Sequence, residues 1–535
     1  MKIIFVTGWV ISGLWKWITS ASIWKILQAS WYSVSMVKMD PYLQIDAWTM
    51  SPYEHWEVFV TDDWWETDLD IWNYERFLWK DFYKDNNITT GKIYLDVITK
   101  ERKWDYLWKT VQIVPHITDN IKERLIHIAS FSDVTIVEVG WTVWDIESLP
   151  FLEAIRQMKK DIWDDNVAYI HLAPLLHLNY SWETKTKPIQ HSVSKLREYW
   201  IVPNILVCRT EKTMDKNIKE KISSLCDILE ENIIESVNVS TIYQIPLSFK
   251  NQNLERVLEK KLKLKKKIAN LDNWERLTNN IISPKYNTSI GIVWKYTEFK
   301  DTYLSLIEAL NHSWANINCK VNITWINSEE LEKLDNINEY LFKIKEKWDL
   351  NGIIVAWWFW KRGIEWKIWA IKFARENNVP FLWLCLWLQL AVIEYMRNIW
   401  KMKWANSVEF DKNTIFPIVD FILWQKDIKN KWWTMRLWSY DAILKEWSLV
   451  RKLYDKEIIS ERHRHRYEVN PFFHKEIEKL WMVLSGKSPD WKLVEFIELP
   501  KNNFFIATQA HPEFKSSLEK SHPLFDWLIK SSLKI

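Results

Sequence analysis

The sequence predicts two α/β domains in series, residues 1–265 and 286–535, joined by a linker over 266–285. Three observations predict this. Short apolar stretches such as "KIIFVTG", "VTIVEVG" and "NILVCRT" alternate with helical periods through residues 1–245. That is the pattern of a mostly parallel sheet with helices on both faces. Next, "LERVLEKKLKLKKKIAN" at 254–270 is a Lys-rich helical stretch, which reads as a solvated helix at a domain boundary. Finally, the alternation restarts at "NTSIGIVWKY" and continues through "NGIIVAWW", "VPFLWLCLW" and "NNFFIATQAHPEF".

A chain of 535 residues suits two or three domains and a sizeable core. Its net charge of +3 directs no strong field at nucleic acid or a membrane. The four cysteines, Cys208, Cys226, Cys319 and Cys385, are scattered without CxxC or zinc spacing, as expected in a reducing compartment. No apolar run is long enough to span a bilayer. The opening "MKIIFVTG" is too short for a signal peptide and reads as a first strand. A cytoplasmic protein is expected.

The composition holds one anomaly: 40 Trp against 8 Gly. Typical glycine usage is roughly 7%, so most of these Trp could be Gly with total Gly still near normal. Trp stands where turns want Gly in "DAWTM", "EHWEV", "DDWWET", "EVGWTVWD", "AWWFWKRG" and "KWWTMRLW". Most of these Trp therefore read as Gly codons translated as Trp, as when UGA encodes glycine. A genuinely Trp-rich protein is the alternative. Trp274 in "DNWERL" reads as real, while Trp79, Trp325, Trp348 and Trp424 stay open.

The first element, "FVTGWVISGLWKWITSASIW" (5–24), runs from a strand through a turn into a helix. This is the frame of a phosphate-binding loop, in which successive N–H groups and a helix N-terminus close on anionic oxygens. Bulky residues at 9, 15 and 17 would block that approach; glycine would allow it. Lys16 supplies a mobile positive charge. The common Walker form has Ser or Thr after the lysine, and here position 17 has neither, so a metal must be held elsewhere. Asp70 in "ETDLDIWNYERF" and Glu138 at the end of "VTIVEVG" are the candidates, because hard Mg²⁺ prefers carboxylate oxygens at strand ends.

"KMDPYLQIDAWTMSPYEHWEVFVTDDWWETDLDIWNYERF", "TTGKIY", "VQIVPHITDNIKERL", "ETKTKPIQHSV" and "ERHRHRYEVN" resemble the CTP synthase family, in order and over essentially the whole chain. Members carry Gly at positions matching Trp9, Trp15, Trp17, Trp48, Trp56, Trp141, Trp144, Trp383 and Trp387. The resemblance implies an N-terminal P-loop amidoligase domain with a parallel sheet. It places ATP on Gly13, Leu14, Trp15, Lys16, Trp17 and Ile18, with Asp70, and Mg²⁺ on Asp70 and Glu138. It places UTP, or CTP as inhibitor, on Ser12, on Asp145, Ile146 and Glu147, on Lys185, Thr186, Lys187, Pro188, Ile189 and Gln190, and on Lys221.

The second domain opens its chemistry at "FLWLCLWLQL". Cys385 follows a strand and precedes a helix-compatible run, the arrangement of a nucleophile elbow, whose sharp turn needs small neighbours. A helix N-terminus favours thiolate. In "QAHPEF", His511 and Glu513 stand at i and i+2, so on an extended segment both point the same way. Glu513 can orient His511, and His511 can activate Cys385. The order Cys…His-x-Glu resembles a flavodoxin-like class I glutamine amidotransferase domain. That likeness implies an oxyanion loop at "AWWFWKRG", with N–H groups of Trp358 and Leu386 meeting the oxyanion. It further implies glutamine held by Trp387, Leu388, Gln389, Glu409 and Arg466. Unaided, "RHRHRYEVN" could also be a basic nucleic-acid patch.

The expected reaction has three steps. Cys385 attacks glutamine, forms a thioester and releases ammonia. ATP phosphorylates O4 of UTP. Ammonia, kept from bulk water where it would protonate, displaces phosphate to give CTP. The resemblance also implies a homotetramer, activation by GTP and inhibition by CTP. Two alternatives stand beside it: a catalytically dead structural or filament-forming protein if the Trp are real, and an amidoligase for another substrate.

Overall fold

The computed structural model describes residues 1–9, 15–47, 50, 59–178, 183–294, 303–327, 342–343, 345–346, 349–355, 364–421 and 436–533. Two compact units form. One comprises Met1–Phe59 with Glu66–Thr278, the other Val60–Trp65 with Asn279–Ile535.

In the first unit, Ile3, Ile4, Phe5 and Val6 are wholly buried, as a central parallel strand requires. They form β1 (Lys2–Gly8), followed by β2 (Val34–Asp40), β3 (Asn87–Thr89), β4 (Val134–Val139), β5 (Val167–Pro174), β6 (Ile205–Thr210) and β7 (Ile233–Val237). The sheet order is β7-β6-β5-β1-β4-β2-β3, parallel throughout. Register places Val6 beside Glu138 and Glu138 beside Lys38 on three neighbouring strands. Helix α1 (Lys16–Ala29) starts beyond the carboxyl end of β1, and α2 (Leu69–Leu78) starts at Asp68, whose side chain accepts the Asp70 N–H at 3.1 Å. In open α/β sheets ligands bind outside the carboxyl ends of the strands, and these residues gather there. Helix Asp272–Ile282 falls within the stretch expected as a linker. Trp274 on it is buried, and its Nε1 donates to the Tyr243 carbonyl at 2.7 Å.

The second unit holds β8 (Tyr286–Trp294), β9 (Cys319–Asn327), β10 (Leu350–Val355), β11 (Phe381–Leu384), β12 (Arg436–Leu444), β13 (Ile458–His465), β14 (Val483–Lys487), β15 (Val494–Glu498) and β16 (Phe505–Thr508). Their order is β9-β8-β10-β11-β16-β15-β14-β12-β13. The half from β9 to β16 is parallel, and the rest pairs antiparallel. The doubly wound half is the one the alternating pattern predicts. The antiparallel extension has short connections at β14–β15 and β15–β16, which hairpin pairing permits and parallel pairing does not.

The backbone bears directly on the tryptophans. Eleven of the 21 described non-glycine residues with positive φ are Trp: 15, 31, 64, 79, 104, 108, 141, 163, 200, 481 and 491. An L-residue there costs roughly 1–2 kcal/mol. Across eleven positions that is on the order of 10 kcal/mol, comparable with a domain's whole net stability. Burial does not offset it: Trp31, Trp108 and Trp200 are 80%, 88% and 84% exposed. Several sit just past helix ends. Trp200 N–H bonds the Arg197 carbonyl at 2.8 Å and Ile201 N–H reaches back to Leu196 at 3.3 Å, the helix-ending turn in which glycine is usual. Buried Trp24, Trp72, Trp274 and Trp383 are not among the positive-φ residues, so conformation does not separate the two readings there.

Candidate active sites

At the carboxyl edge of the first sheet, Glu138 projects from the end of β4 and Asp70 from the first turn of α2. The Lys38 ammonium, on β2, bonds both: Glu138 Oε1 at 2.8 Å, and Asp70 Oδ2 more closely. Asp40 Oδ1 lies 3.9 Å away, and the Tyr74 hydroxyl donates to Glu138 Oε2. Burial works against the Lys38 charge, but Asp70 and Glu138 carry its pKa well above normal. Burial pushes the Asp40 carboxyl up to about 6, with Lys38 opposing. Sequence reasoning missed Lys38. Its signal was a cation inside "VSMVKMD", a strand otherwise suited to burial.

The two carboxylates thus converge on one cation. Hard oxygen donors in that number suit Mg²⁺, which keeps waters and takes phosphate oxygens for the rest of its shell. Among the described residues no group of three or more His, Cys, Asp or Glu could hold a metal.

Lys16 is the first residue of α1, and its side chain runs back across Gly8, where a Cβ would stand 2.7 Å from Lys16 Cδ. Its Nζ donates to the Val139 carbonyl at 3.0 Å and to the Trp141 carbonyl. Burial lowers its pKa to about 8, with Glu138 opposing. Trp15, at φ 64°, lays its ring 3.6 Å from the Arg209 guanidinium. Trp17 meets Phe77 edge-on, and Ile18 is buried. Ser12, Gly13 and Leu14 lie outside the described residues.

Of the expected nucleotide residues, Asp145 caps its own turn, accepting the Thr142 N–H at 2.7 Å. Ile146 and Glu147 are exposed in the short turn that follows. Lys185 ends the strand Glu183–Lys185. Thr186 precedes α3 (Lys187–Glu198), whose first turn carries Pro188, Ile189 and Gln190, and Gln190 Nε2 donates to Thr186 Oγ1 at 3.0 Å. Lys221 is exposed on α4 (Lys216–Cys226).

In the second unit, Cys385 joins β11 to α5 (Leu386–Asn398) with φ 60° and ψ −119°. Such a conformation costs on the order of 1–3 kcal/mol and concentrates at functional sites. Two neighbours hold it: Cys385 N–H donates to the Thr508 carbonyl at 2.8 Å, and its Sγ lies 3.7 Å from the Arg464 carbonyl. The helix that starts at Leu386 points its N–H groups at this turn.

His511 Nδ1 lies 2.8 Å from Glu513 Oε1, and the ring stacks on Phe514. Burial disfavours the imidazolium, but Cys385 and Glu513 together raise its pKa well above normal, with hydrogen bonds to both contributing. The structure therefore brings Cys385, His511 and Glu513 together. A thiol beside an imidazole held by an orienting carboxylate is a nucleophile with its acid–base partner.

Gln389 lies one turn into α5, next to buried Leu388. Its Nε2 donates to the Tyr467 carbonyl at 2.7 Å and to Gln509 Oε1 at 3.2 Å. Its Oε1, and Glu409 Oε2, are buried without a hydrogen-bond partner. Burial pushes the Glu409 carboxyl up to about 7, with nearby Arg466 opposing. Buried acceptors left open mark a place for a ligand's donors. Trp387 follows Leu386 in the first turn of α5, and Trp358 with its loop lies outside the described residues.

Comparison with known proteins agrees with both halves. The family described as CTP synthase N-terminus matches residues 2–264, and glutamine amidotransferase class-I matches 298–531. A CTP synthase of Methanocaldococcus jannaschii is 53% identical over 100% of this chain and 98% of that protein. One from Methanococcus maripaludis is 52% identical over 100% of both chains. One from Desulfitobacterium hafniense is 48% identical over 99% of both. Among solved structures, a Trypanosoma brucei CTPS glutaminase domain with bound acivicin is 32% identical over 46% of this chain and 93% of that one, with a TM-score of 0.43.

Proposed function

The chain belongs to the CTP synthase family, and from that premise we propose how its residues divide the work. The enzyme is a glutamine-hydrolysing ligase that aminates UTP to CTP at the expense of ATP. In the second unit, Cys385 attacks the glutamine amide carbon, and His511, oriented by Glu513, passes a proton to the departing ammonia. The Leu386 N–H, with one from residue 358, receives the oxyanion. Glu409 takes the glutamine α-ammonium and Arg466 its carboxylate, while Gln389 Oε1 accepts a further donor.

In the first unit, the 13–18 loop and the start of α1 bind the ATP triphosphate, with Lys16 on its oxygens. Asp70 and Glu138 would hold Mg²⁺, and the ion would supply charge neutralisation for phosphoryl transfer. Asp145, Ile146 and Glu147 face the nucleoside of UTP. Lys185 and Lys187 take its phosphates, and Ser12, Thr186, Pro188, Ile189, Gln190 and Lys221 complete the UTP site. A cytoplasmic homotetramer activated by GTP and inhibited by CTP completes the reading; exposure of Ile146, Glu147, Lys187 and Lys221 leaves them accessible in one subunit.

The native polypeptide carries glycine at most of the Trp positions, those at 15 and 17 included. The Trp15 ring against Arg209 otherwise fills space next to Lys16 that a triphosphate needs. The observation that carries the whole reading is the Cys385–His511–Glu513 constellation on a strained elbow, inside a chain matched end to end by the family. The test is CTP formation by protein purified from its native source, supplied with UTP, ATP, Mg²⁺ and either glutamine or ammonium chloride. Both nitrogen sources should yield CTP; failure of both contradicts the assignment.

A further inference from the structure

Residues 60–65 belong to the synthase half of the sequence, yet they pack with residues 279–535. Within that unit Asp62 meets both elements that hold the His511–Glu513 pair. Its Oδ1 accepts Arg462 Nε at 2.5 Å, and its Oδ2 lies 3.7 Å from Lys515 Nζ. Arg462 is on β13, its side chain is buried, and its carbonyl accepts the His511 backbone N–H at 2.8 Å. Lys515 closes the short turn Pro512–Lys515 that carries Glu513. Lys515 Nζ also donates to the Ser460 carbonyl at 3.0 Å and Ser439 Oγ at 3.2 Å, bracing that turn against β12 and β13.

One carboxylate thus joins a cation from the strand under His511 to a cation from the turn bearing Glu513. Although burial disfavours the Asp62 charge, Arg462 and Lys515 hold its carboxyl below the usual range. Taking a carboxylate away from a buried arginine is costly, and any shift of the Arg462 backbone that follows carries with it the carbonyl to which His511 is anchored.

We propose that Asp62 is a positioning residue for glutamine hydrolysis, fixing through Arg462 and Lys515 the strand and turn that hold His511 and Glu513. The glutaminase site is then completed by a residue from the synthase half of the sequence. This rests on the glutaminase reading above. Among the described residues Asp62 meets Arg462 and Lys515 rather than the thiol, Gln389 or Glu409, so its loss should act on turnover. Misplacing a catalytic group by about 1 Å can cost on the order of 100-fold in rate.

The test compares Asp62→Asn, Asp62→Glu and Lys515→Met with the unsubstituted enzyme, following ammonia release from glutamine and, separately, CTP formation from ammonium chloride. The ammonia-driven rate serves as a measure of folded enzyme. Asp62→Asn should lower kcat for glutamine about 10- to 100-fold with little change in KM and an unchanged ammonia-driven rate. Asp62→Glu should recover most of the loss, and Lys515→Met should show a smaller loss of the same kind. If Asp62→Asn fails to fold, Lys515→Met carries the test. Equal glutamine kcat in the variants, or glutamine- and ammonia-driven rates falling in proportion, overturns the proposal. An unsubstituted enzyme that releases no ammonia from glutamine overturns the glutaminase reading instead.

Discussion

Cys385 stands at φ 60° with its thiol beside an imidazole already biased toward imidazolium. Replacing it with serine should abolish glutamine-driven CTP formation, by more than about 10³-fold, while ammonia-driven formation persists. Parallel assays with the two nitrogen sources check this, and equal loss of both contradicts it. Glu409 gives a pH signature. Burial raises its carboxyl to about 7, and in the role proposed for it the group must be ionised to receive the glutamine ammonium. The KM for glutamine should therefore rise as pH falls through about 7, nearly tenfold per unit. Glu409→Gln should raise KM and flatten that dependence. A wild-type KM that is flat between pH 6 and 8, roughly the window around the shifted value, removes Glu409 from this role. At this scale the sequence was most informative where chemistry is written contiguously, as in "FLWLCLWLQL" and "QAHPEF". It was silent where partners meet only after folding. Lys38 reaches Glu138 through strand register, and Asp62 and Arg462 are 400 residues apart.

Among the elements, β2, β4 and α2 jointly carry the buried charges of the synthase site. Removing one partner of a buried ion pair typically costs about 3–5 kcal/mol, because the other charge stays behind. Lys38→Met should lower the unfolding free energy by roughly that amount, and added Mg²⁺ should restore part of it by occupying the two carboxylates. Urea unfolding with and without Mg²⁺ reads both effects; a variant indifferent to Mg²⁺ contradicts the metal assignment. Helix ends supply a second contrast. In protein made with Trp throughout, Trp200→Gly should stabilise by about 1 kcal/mol, since it relieves a left-handed residue whose ring is in solvent. Trp274→Gly should destabilise by about 3–5 kcal/mol, since its ring is buried and its Nε1 is bonded. Denaturation midpoints decide between them. The parallel cores of both units were legible from alternation of strand and helix patterns. The antiparallel strands β12 to β15 were not, because hairpin pairing depends on connections and partners that a strand's own residues do not specify.

For the molecule as a whole, the fold and family require phosphate-cradling glycines in a chain that has almost none. Read with glycine, the left-handed positions at the helix-ending turns obey ordinary backbone chemistry. Read with tryptophan, each needs a separate excuse. The most direct measurement is therefore the peptide mass spectrum of protein from the native source. Two tryptic peptides suffice: residues 17–25, printed "WITSASIWK", and residues 198–209, printed "EYWIVPNILVCR". The first covers the start of the helix behind the phosphate loop, and the second covers a left-handed position with an exposed ring. Glycine masses at 17 and 200 are expected, and they leave the loop open for a triphosphate. Tryptophan masses at both would contradict the account and close the synthase site as drawn.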